Sequence, residues 1–291
     1  MSTKHPIISV TGSSGAGTTS VRRTFEQIFR REMVNAVYIE GDAFHRYDRL
    51  EMRKAMEEEA AKGDHHFSHF GPEANLFAEL EALFQGYGES GQGRTRHYVH
   101  DAAESEQFGA AAGAFTAWES LPEETDLLFY EGLHGCVVTD KVNLAQHADL
   151  KIGVVPVINL EWIQKIRRDG TTRGYSTEAV TDTILRRMPD YVRYMCPQFT
   201  QTDINFQRIP TVDTSNPFIA RSIPTPDESM VVIRFRNPRG FDFCYLLSMI
   251  HNSFMSRPNS IVIPGGKLDL AMQLILTPLI LQLVERKRRA A

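Results

Sequence analysis

Four short stretches hold residues whose types and spacing could handle a nucleoside triphosphate. The first is Gly12-Ser13-Ser14-Gly15-Ala16-Gly17-Thr18-Thr19-Ser20, a loop of glycines and hydroxyls. Glycines let successive backbone N–H groups curl around phosphate oxygens, and the first turn of a following helix adds its own unpaired N–H groups. Thr19 stands where a hydroxyl ligates Mg²⁺, but position 18, which the phosphate-loop pattern fills with lysine, is Thr18. Alone, the stretch reads equally well as a Gly/Ser turn between a strand and a helix. A positive charge, a metal ligand and a base for the nucleophile must come from elsewhere in the chain.

Two acids and a basic patch are the candidates. Glu131 closes the apolar run Leu127-Leu128-Phe129-Tyr130, so it belongs at the carboxyl end of a buried strand, where it can hold Mg²⁺ directly or through water. Asp42 ends the strand that follows the first helix, and a carboxylate there can take a proton from an attacking hydroxyl. Asp42 as a mere cap of the next turn is the alternative, but His45, Arg46 and Arg49 nearby suit an acceptor that carries a phosphate of its own. Lys165-Ile166-Arg167-Arg168-Asp169-Gly170-Thr171-Thr172-Arg173-Gly174 puts Lys165, Arg168 and Arg173 beside a glycine hinge. Such a segment could close over the phosphates as a lid and replace the absent loop lysine, or serve only as a solvated helix end. Tyr98 and His100, after Arg94 and Arg96, are weaker candidates for contact with a sugar phosphate. His65, His66 and His69 have no cysteine or spaced carboxylate to complete a transition-metal site.

The elements that must position these residues follow from the apolar pattern. Ile7 to Thr11, Ala36 to Ile39, Asp126 to Gly132 and Leu150 to Val157 are the expected inner strands. A helix with Val21, Phe25, Ile28 and Phe29 on one face follows the glycine loop. Further helices are expected over about 48–62, from Pro72 to about Phe84, over 159–168 with a break at Asp169-Gly170, and over 177–194. Gly86 to Gly93 reads as a loop and Thr95 to Val99 as a short strand. Strands near 206–212, 230–235 and 261–263 and a terminal helix complete the chain. Alternating strands and helices predict an α/β fold whose sheet is largely parallel, flanked by helices, with added edge strands. The whole chain, 1–291, reads as one domain: a nucleotide and substrate core over 1–197 with a lid near 165–175, then edge strands and a helix over 198–291.

Composition narrows the class. With 42% hydrophobic and 23% charged residues the chain is an ordinary globular one, and a net charge of −4 argues against a dedicated nucleic-acid binder. Three widely spaced cysteines without a C-x-x-C pair fit a reducing, cytoplasmic setting. Leu268 to Val284 is interrupted by Asp269, Gln273, Pro278 and Gln282, and reads as too short and too polar to span a bilayer.

Gly41-Asp42-Ala43-Phe44-His45-Arg46, Tyr130-Glu131-Gly132-Leu133-His134 and Pro264-Gly265-Gly266-Lys267 leading into Ala271-Met272-Gln273 resemble the phosphoribulokinases, P-loop kinases of the reductive pentose phosphate (Calvin) cycle. The glycine loop and the lid are shared with uridine and pantothenate kinases. The resemblance covers nearly the whole chain and implies a fold like the P-loop nucleoside-monophosphate kinases. It implies transfer of the γ-phosphoryl group of MgATP to the C1 hydroxyl of D-ribulose 5-phosphate. In that reading Asp42 is the base, Glu131 the Mg²⁺-linked acid and Asp169 a second essential carboxylate near the metal. Lys165 and Arg168 stabilise the transferring group, while His45, Arg49 and Arg173 bind ribulose 5-phosphate. The loop lacks the regulatory thiol of the plant enzymes. The short bacterial form it resembles implies a homo-oligomer activated by NADH, with Arg31, Arg234 and Arg257 as speculative effector ligands or simply salt-bridge residues. A nucleoside kinase of the uridine type and a nucleotide-responsive protein without catalysis remain the alternatives.

Overall fold

The computed structural model describes residues 4–13, 18–173, 176–220 and 222–290. Its strands are β1 (Ile7–Gly12), β2 (Ala36–Glu40), β3 (Arg94–Thr95), β4 (Glu119–Ser120), β5 (Leu127–Gly132), β6 (Leu150–Val155), β7 (Ile204–Pro210), β8 (Ser229–Phe235), β9 (Phe254–Arg257) and β10 (Ser260–Pro264). Its α-helices are α1 (Thr18–Arg31), α2 (Arg49–Ala61), α3 (Phe77–Ser90), α4 (Ala102–Phe108), α5 (Ile158–Arg173), α6 (Thr177–Asp190), α7 (Phe243–Met249) and α8 (Leu268–Ala290). Among the described residues the main sheet has eight strands in the order β2-β5-β1-β6-β7-β8-β10-β9. The first five run parallel, and β8, β10 and β9 extend the edge in antiparallel fashion.

Strands buried on both faces carry continuous apolar runs rather than alternation, and β1 is buried along its whole length. One face of the sheet packs on α1 through Val21, Phe25, Ile28 and Phe29, the stripe expected from the sequence, and on α8. The other face packs on α3 through Phe77, Leu80, Leu83, Phe84 and Tyr87. By length and composition α8 is apolar enough to cross a membrane, with a mean hydropathy of 1.5. It is one continuous helix through Pro278, longer than the interrupted stretch the sequence suggested. Ala271, Met272, Ile275, Leu276, Ile280, Leu283 and Val284 put it in the protein core, against the same sheet face as α1.

Several boundaries differ from the expectation, and the strand expected over Thr95 to Val99 is only Arg94–Thr95, with Tyr98 in an isolated bridge to Phe115. Helix α5 does not break at Asp169-Gly170 but continues to Arg173. A helical glycine costs only about 1 kcal/mol, and the Thr171 hydroxyl returns to the Arg167 carbonyl at 2.7 Å, inside the turn. Helix α3 runs through Gly86 and stops at Gly91, whose left-handed backbone (φ 73°) makes the cap. The helix expected from Pro72 is instead a 3₁₀ turn, Pro72–Ala74, separated from α3 by Asn75 and Leu76. Helices α4 and α7 and strands β4 and β9 are elements that the apolar pattern does not predict.

Parallel order brings the carboxyl ends of β1, β2, β5 and β6 to one edge, where open α/β sheets bind ligands. Gly12, Glu40 and Glu131 sit there, with Glu131 in register with Val10 on β1 and with Glu40 on β2. The turn after β2, Gly41–Phe44, packs directly on the end of β5. A Cβ on Gly41 would lie 2.8 Å from the Gly132 Cα and 2.6 Å from the Tyr130 hydroxyl, so no larger residue fits without displacing backbone.

Phe129 anchors the core behind this edge, its ring 4.8 Å from Phe25 and 5.6 Å from both Phe29 and Tyr38. Phe129→Ala is expected to cost about 3–5 kcal/mol of unfolding free energy, measured by urea denaturation, because the cavity cannot collapse among rigid rings.

Candidate active site

A cleft of about 450 Å³ opens at the carboxyl edge, bounded by Gly12 and Glu131 on the sheet, Asp42 and His45 on the turn after β2, and Lys165 and Arg168 on α5. The sequence predicted all six as site residues, and one cavity holds them. Of the glycine loop, Ser14, Gly15, Ala16 and Gly17 lie outside the described residues; Ser13 is buried, and Thr18, Thr19 and Ser20 form the first turn of α1. The helix therefore begins where a phosphate-binding loop requires it to.

Asp42 stands among imidazoles. Its Oδ1 is 3.1 Å from His45 Nε2 and its Oδ2 is 3.7 Å from His100 Nε2. Burial alone would push this carboxyl upward, but the His45 hydrogen bond and the charges of His45, His100 and His69 outweigh it and hold the group well below the ordinary carboxylate range. The carboxylate is thus firmly ionised while 40% of its side chain stays exposed. His45 itself is buried; its Nδ1 is 2.8 Å from Asn75 Oδ1, and its ring lies 4.2 Å from that of His69. Arg96 fixes the turn from behind. Its guanidinium donates to the Ala43 carbonyl at 2.8 Å and to the His45 carbonyl at 2.6 Å, and lies 3.6 Å from the Phe115 ring centre.

Helix α5 supplies the cations. Glu161, Lys165 and Arg168 recur at helical spacing along the wall of the cleft. Buried Asp169 faces Lys165 Nζ at 3.4 Å with one oxygen and Arg168 Nε at 3.0 Å with the other. Burial lowers the Lys165 pKa, and the Asp169 charge opposes that shift. Burial raises the Glu161 carboxyl, offset in part by the Ser13 and Tyr191 hydroxyls; the Tyr191 hydroxyl donates to Glu161 Oε2 at 3.0 Å. Tyr191 begins a π-helical turn, Tyr191–Met195, a form that recurs at functional sites.

The remaining expected residues lie further out. Arg49 is exposed and donates to the His100 carbonyl at 2.8 Å, so it braces the loop that carries His100. Tyr98 packs edge-on to His100 at 5.0 Å. Arg173 is the last residue of α5. Arg31 donates to Gln273 and Thr277 of α8, both at 2.9 Å. Arg234 and Arg257, both exposed, pair in register with Ser260 from either side, on the antiparallel extension.

Sequence reasoning missed Asn75, Arg96, Glu161, Arg187 and Tyr191, and it named His69 only as a loop histidine with a substrate or surface role. Glu161 had a usable signal, one helical turn before Lys165. Arg187, which faces the cleft from α6, had only its charge. Asn75 and Arg96 show nothing in the sequence, since their partners are carbonyls and a histidine tens of residues away.

A family model described as the Phosphoribulokinase / Uridine kinase family matches residues 7–215. The chain is 78% identical over 287 residues to the phosphoribulokinase of Nitrobacter vulgaris, with 99% of each chain covered. It is 69% identical to the chromosomal phosphoribulokinase of Cupriavidus necator over the full length of both. The solved structure of phosphoribulokinase from Rhodobacter spheroides superposes with a TM-score of 0.91 at 66% identity, covering 99% of this chain and 100% of that one. With its fold, its cleft and its full-length similarity in agreement, the chain belongs to the phosphoribulokinases of this P-loop kinase family.

Proposed function

We propose that this chain transfers the γ-phosphoryl group of ATP to the C1 hydroxyl of D-ribulose 5-phosphate, giving ribulose 1,5-bisphosphate and ADP in the Calvin cycle. The observation that carries the reading is the ionised Asp42, held among imidazoles in the same cleft as the end of β1 and the cations of α5. The acceptor hydroxyl donates its proton to Asp42 as its oxygen bonds to the γ-phosphorus and the bond to the ADP oxygen breaks. In a loose transition state the nucleophile needs little basic assistance, so a carboxylate of low basicity suffices to orient the hydroxyl and take the proton. Lys165 and Arg168 stand ready for the charge on the transferring group. Asp169 holds both side chains in place, which spares their reorganisation during the reaction. His100, with Arg49 bracing its loop and Arg173 at the end of α5, is assigned to the sugar phosphate, and His45, whose ring nitrogens face Asn75 and Asp42, serves the acceptor through the orientation of Asp42.

Among the described residues no cluster of three acidic, histidine or cysteine ligands forms a self-contained metal cage. That suits Mg²⁺, which is commonly held by one or two carboxylates together with substrate phosphates. Glu131 and Thr19 are the oxygen donors assigned to it, with Asp169, which also faces Lys165 and Arg168, as a second carboxylate near the metal. Bound with ATP, Mg²⁺ supplies neutralisation of the β- and γ-phosphate charge. Activation by NADH through Arg31, Arg234 and Arg257, a homo-oligomer and a cytoplasmic setting belong to the same proposal.

Three measurements test it. In a coupled assay ribulose 5-phosphate is expected to turn over and uridine is not; the reverse preference overturns the assignment. Asp42→Asn is expected to lower kcat by roughly 10²–10⁴-fold with nucleotide binding retained, and a mild loss would move the base elsewhere. Lys165→Met is expected to lower kcat by about 10²–10³-fold while the ATP KM changes far less; equal losses in both would place the transition-state charge on another residue.

A further inference from the structure

We infer that Asn75 is a positioning residue that acts through His45, holding that ring so that its Nε2 is committed to Asp42. The inference rests on the proposed role of Asp42 as the proton acceptor. Asn75 is 2% exposed, and its side-chain amide is fully engaged. Its Nδ2 donates to the carbonyls of His69 at 2.9 Å and Gly71 at 2.6 Å. Carbonyl oxygens can only accept, so those two bonds fix the amide orientation and leave Oδ1 as the atom 2.8 Å from His45 Nδ1. An acceptor there requires the proton on Nδ1. The other ring nitrogen, Nε2, then meets the Asp42 carboxylate at 3.1 Å and bonds to it only by carrying a proton as well. Asn75 thereby makes the ring a donor on both sides and keeps a positive group against Asp42.

The backbone around Asn75 serves the same end. Arg46 N donates to the Ala74 carbonyl and Leu76 N to the Phe44 carbonyl, each at 2.8 Å, so Asn75 bridges the strand-like segment at His45. This bridge is what interrupts the helix expected from Pro72. The groups that face Asp42 and His45 come from every neighbouring element. His69 belongs to the 63–71 loop and His100 to the loop before α4, while Tyr130 and His134 stand at the end of β5; Arg187 of α6 bears on His69. None of these other groups touches His45 Nδ1 among the described contacts, so Asn75 alone sets that atom.

The test is steady-state kinetics of Asn75→Leu, His45→Asn and the double variant against ribulose 5-phosphate and ATP across the acid limb of the pH–rate profile. Loss of an orienting partner of this kind typically costs about 10–100-fold in activity. That loss is expected in kcat/KM for ribulose 5-phosphate, with the ATP KM nearly unchanged. Asp42 is held below its ordinary value by the fixed His45, so releasing the ring raises it, and the acid limb should move to higher pH. In the double variant, Asn75→Leu should add little to His45→Asn, because the two act as one unit. Additive losses overturn the inference. A shift of the limb in His45→Asn but not in Asn75→Leu overturns the role of Asn75 alone; no shift in His45→Asn overturns the Asp42 reading beneath it. Should Asn75→Leu fail to fold, ¹⁵N NMR of the unaltered protein reads the His45 tautomer directly, and an unprotonated Nδ1 overturns the inference.

Discussion

The contact on which the site depends is between two backbones. Gly41 and Gly132 approach so closely that a Cβ on Gly132 would stand 2.6 Å from the Gly41 Cα. That approach seats the turn carrying Asp42 on the end of the strand carrying Glu131. Tyr130 lies beneath both glycines, buried among α3 residues, its ring 5.4 Å from Phe84. Asp42 and Glu131 are thus set by packing against a rigid strand end, and a pair preorganised in this way needs no rearrangement to face a ligand in the cleft.

The sheet makes that contact durable. Five parallel strands, covered by α1 and α8 on one side and α3 on the other, put their carboxyl ends on one edge, and those of β1, β2, β5 and β6 bound the cleft side. Among the described residues none of the antiparallel strands β8, β10 and β9 lines the cleft. They lengthen the sheet and, with α7 and α8, extend the core that holds β6 and β7 in place. Function occupies the carboxyl edge, and stability comes from the breadth of the sheet behind it.

The sequence made the strands and the chemistry at their ends legible because both are local. An apolar run closed by Glu131, or by Glu40-Gly41-Asp42, states its own position on a parallel sheet. Lys165, Arg168 and Asp169 were legible as charges, but their geometry was not: a glycine at 170 suggested a hinge, and the helix runs through it. What escaped was held by long-range hydrogen bonds. Asn75 is joined to His45 across 30 residues, and Arg96 reaches the carbonyls of Ala43 and His45 across more than 50. A single chain shows such residues as ordinary loop polar groups until the fold brings their partners to them.

Two groups of charges flank the cleft where the phosphate loop carries Thr18 in place of a lysine. Arg22, near the start of α1, is committed to Glu26 at 2.9 Å and to Glu40, so that group carries an excess of one negative charge. On α5, Lys165 and Arg168 flank Asp169, with Glu161 one helical turn before Lys165. Lys165 is also desolvated, which strengthens its attraction for an incoming phosphate while making its present pairing costly to keep. In the proposed reaction a polyphosphate entering between Gly12 and α5 meets Lys165 and Arg168 on the helix wall, and these are the cations we propose in place of a loop lysine.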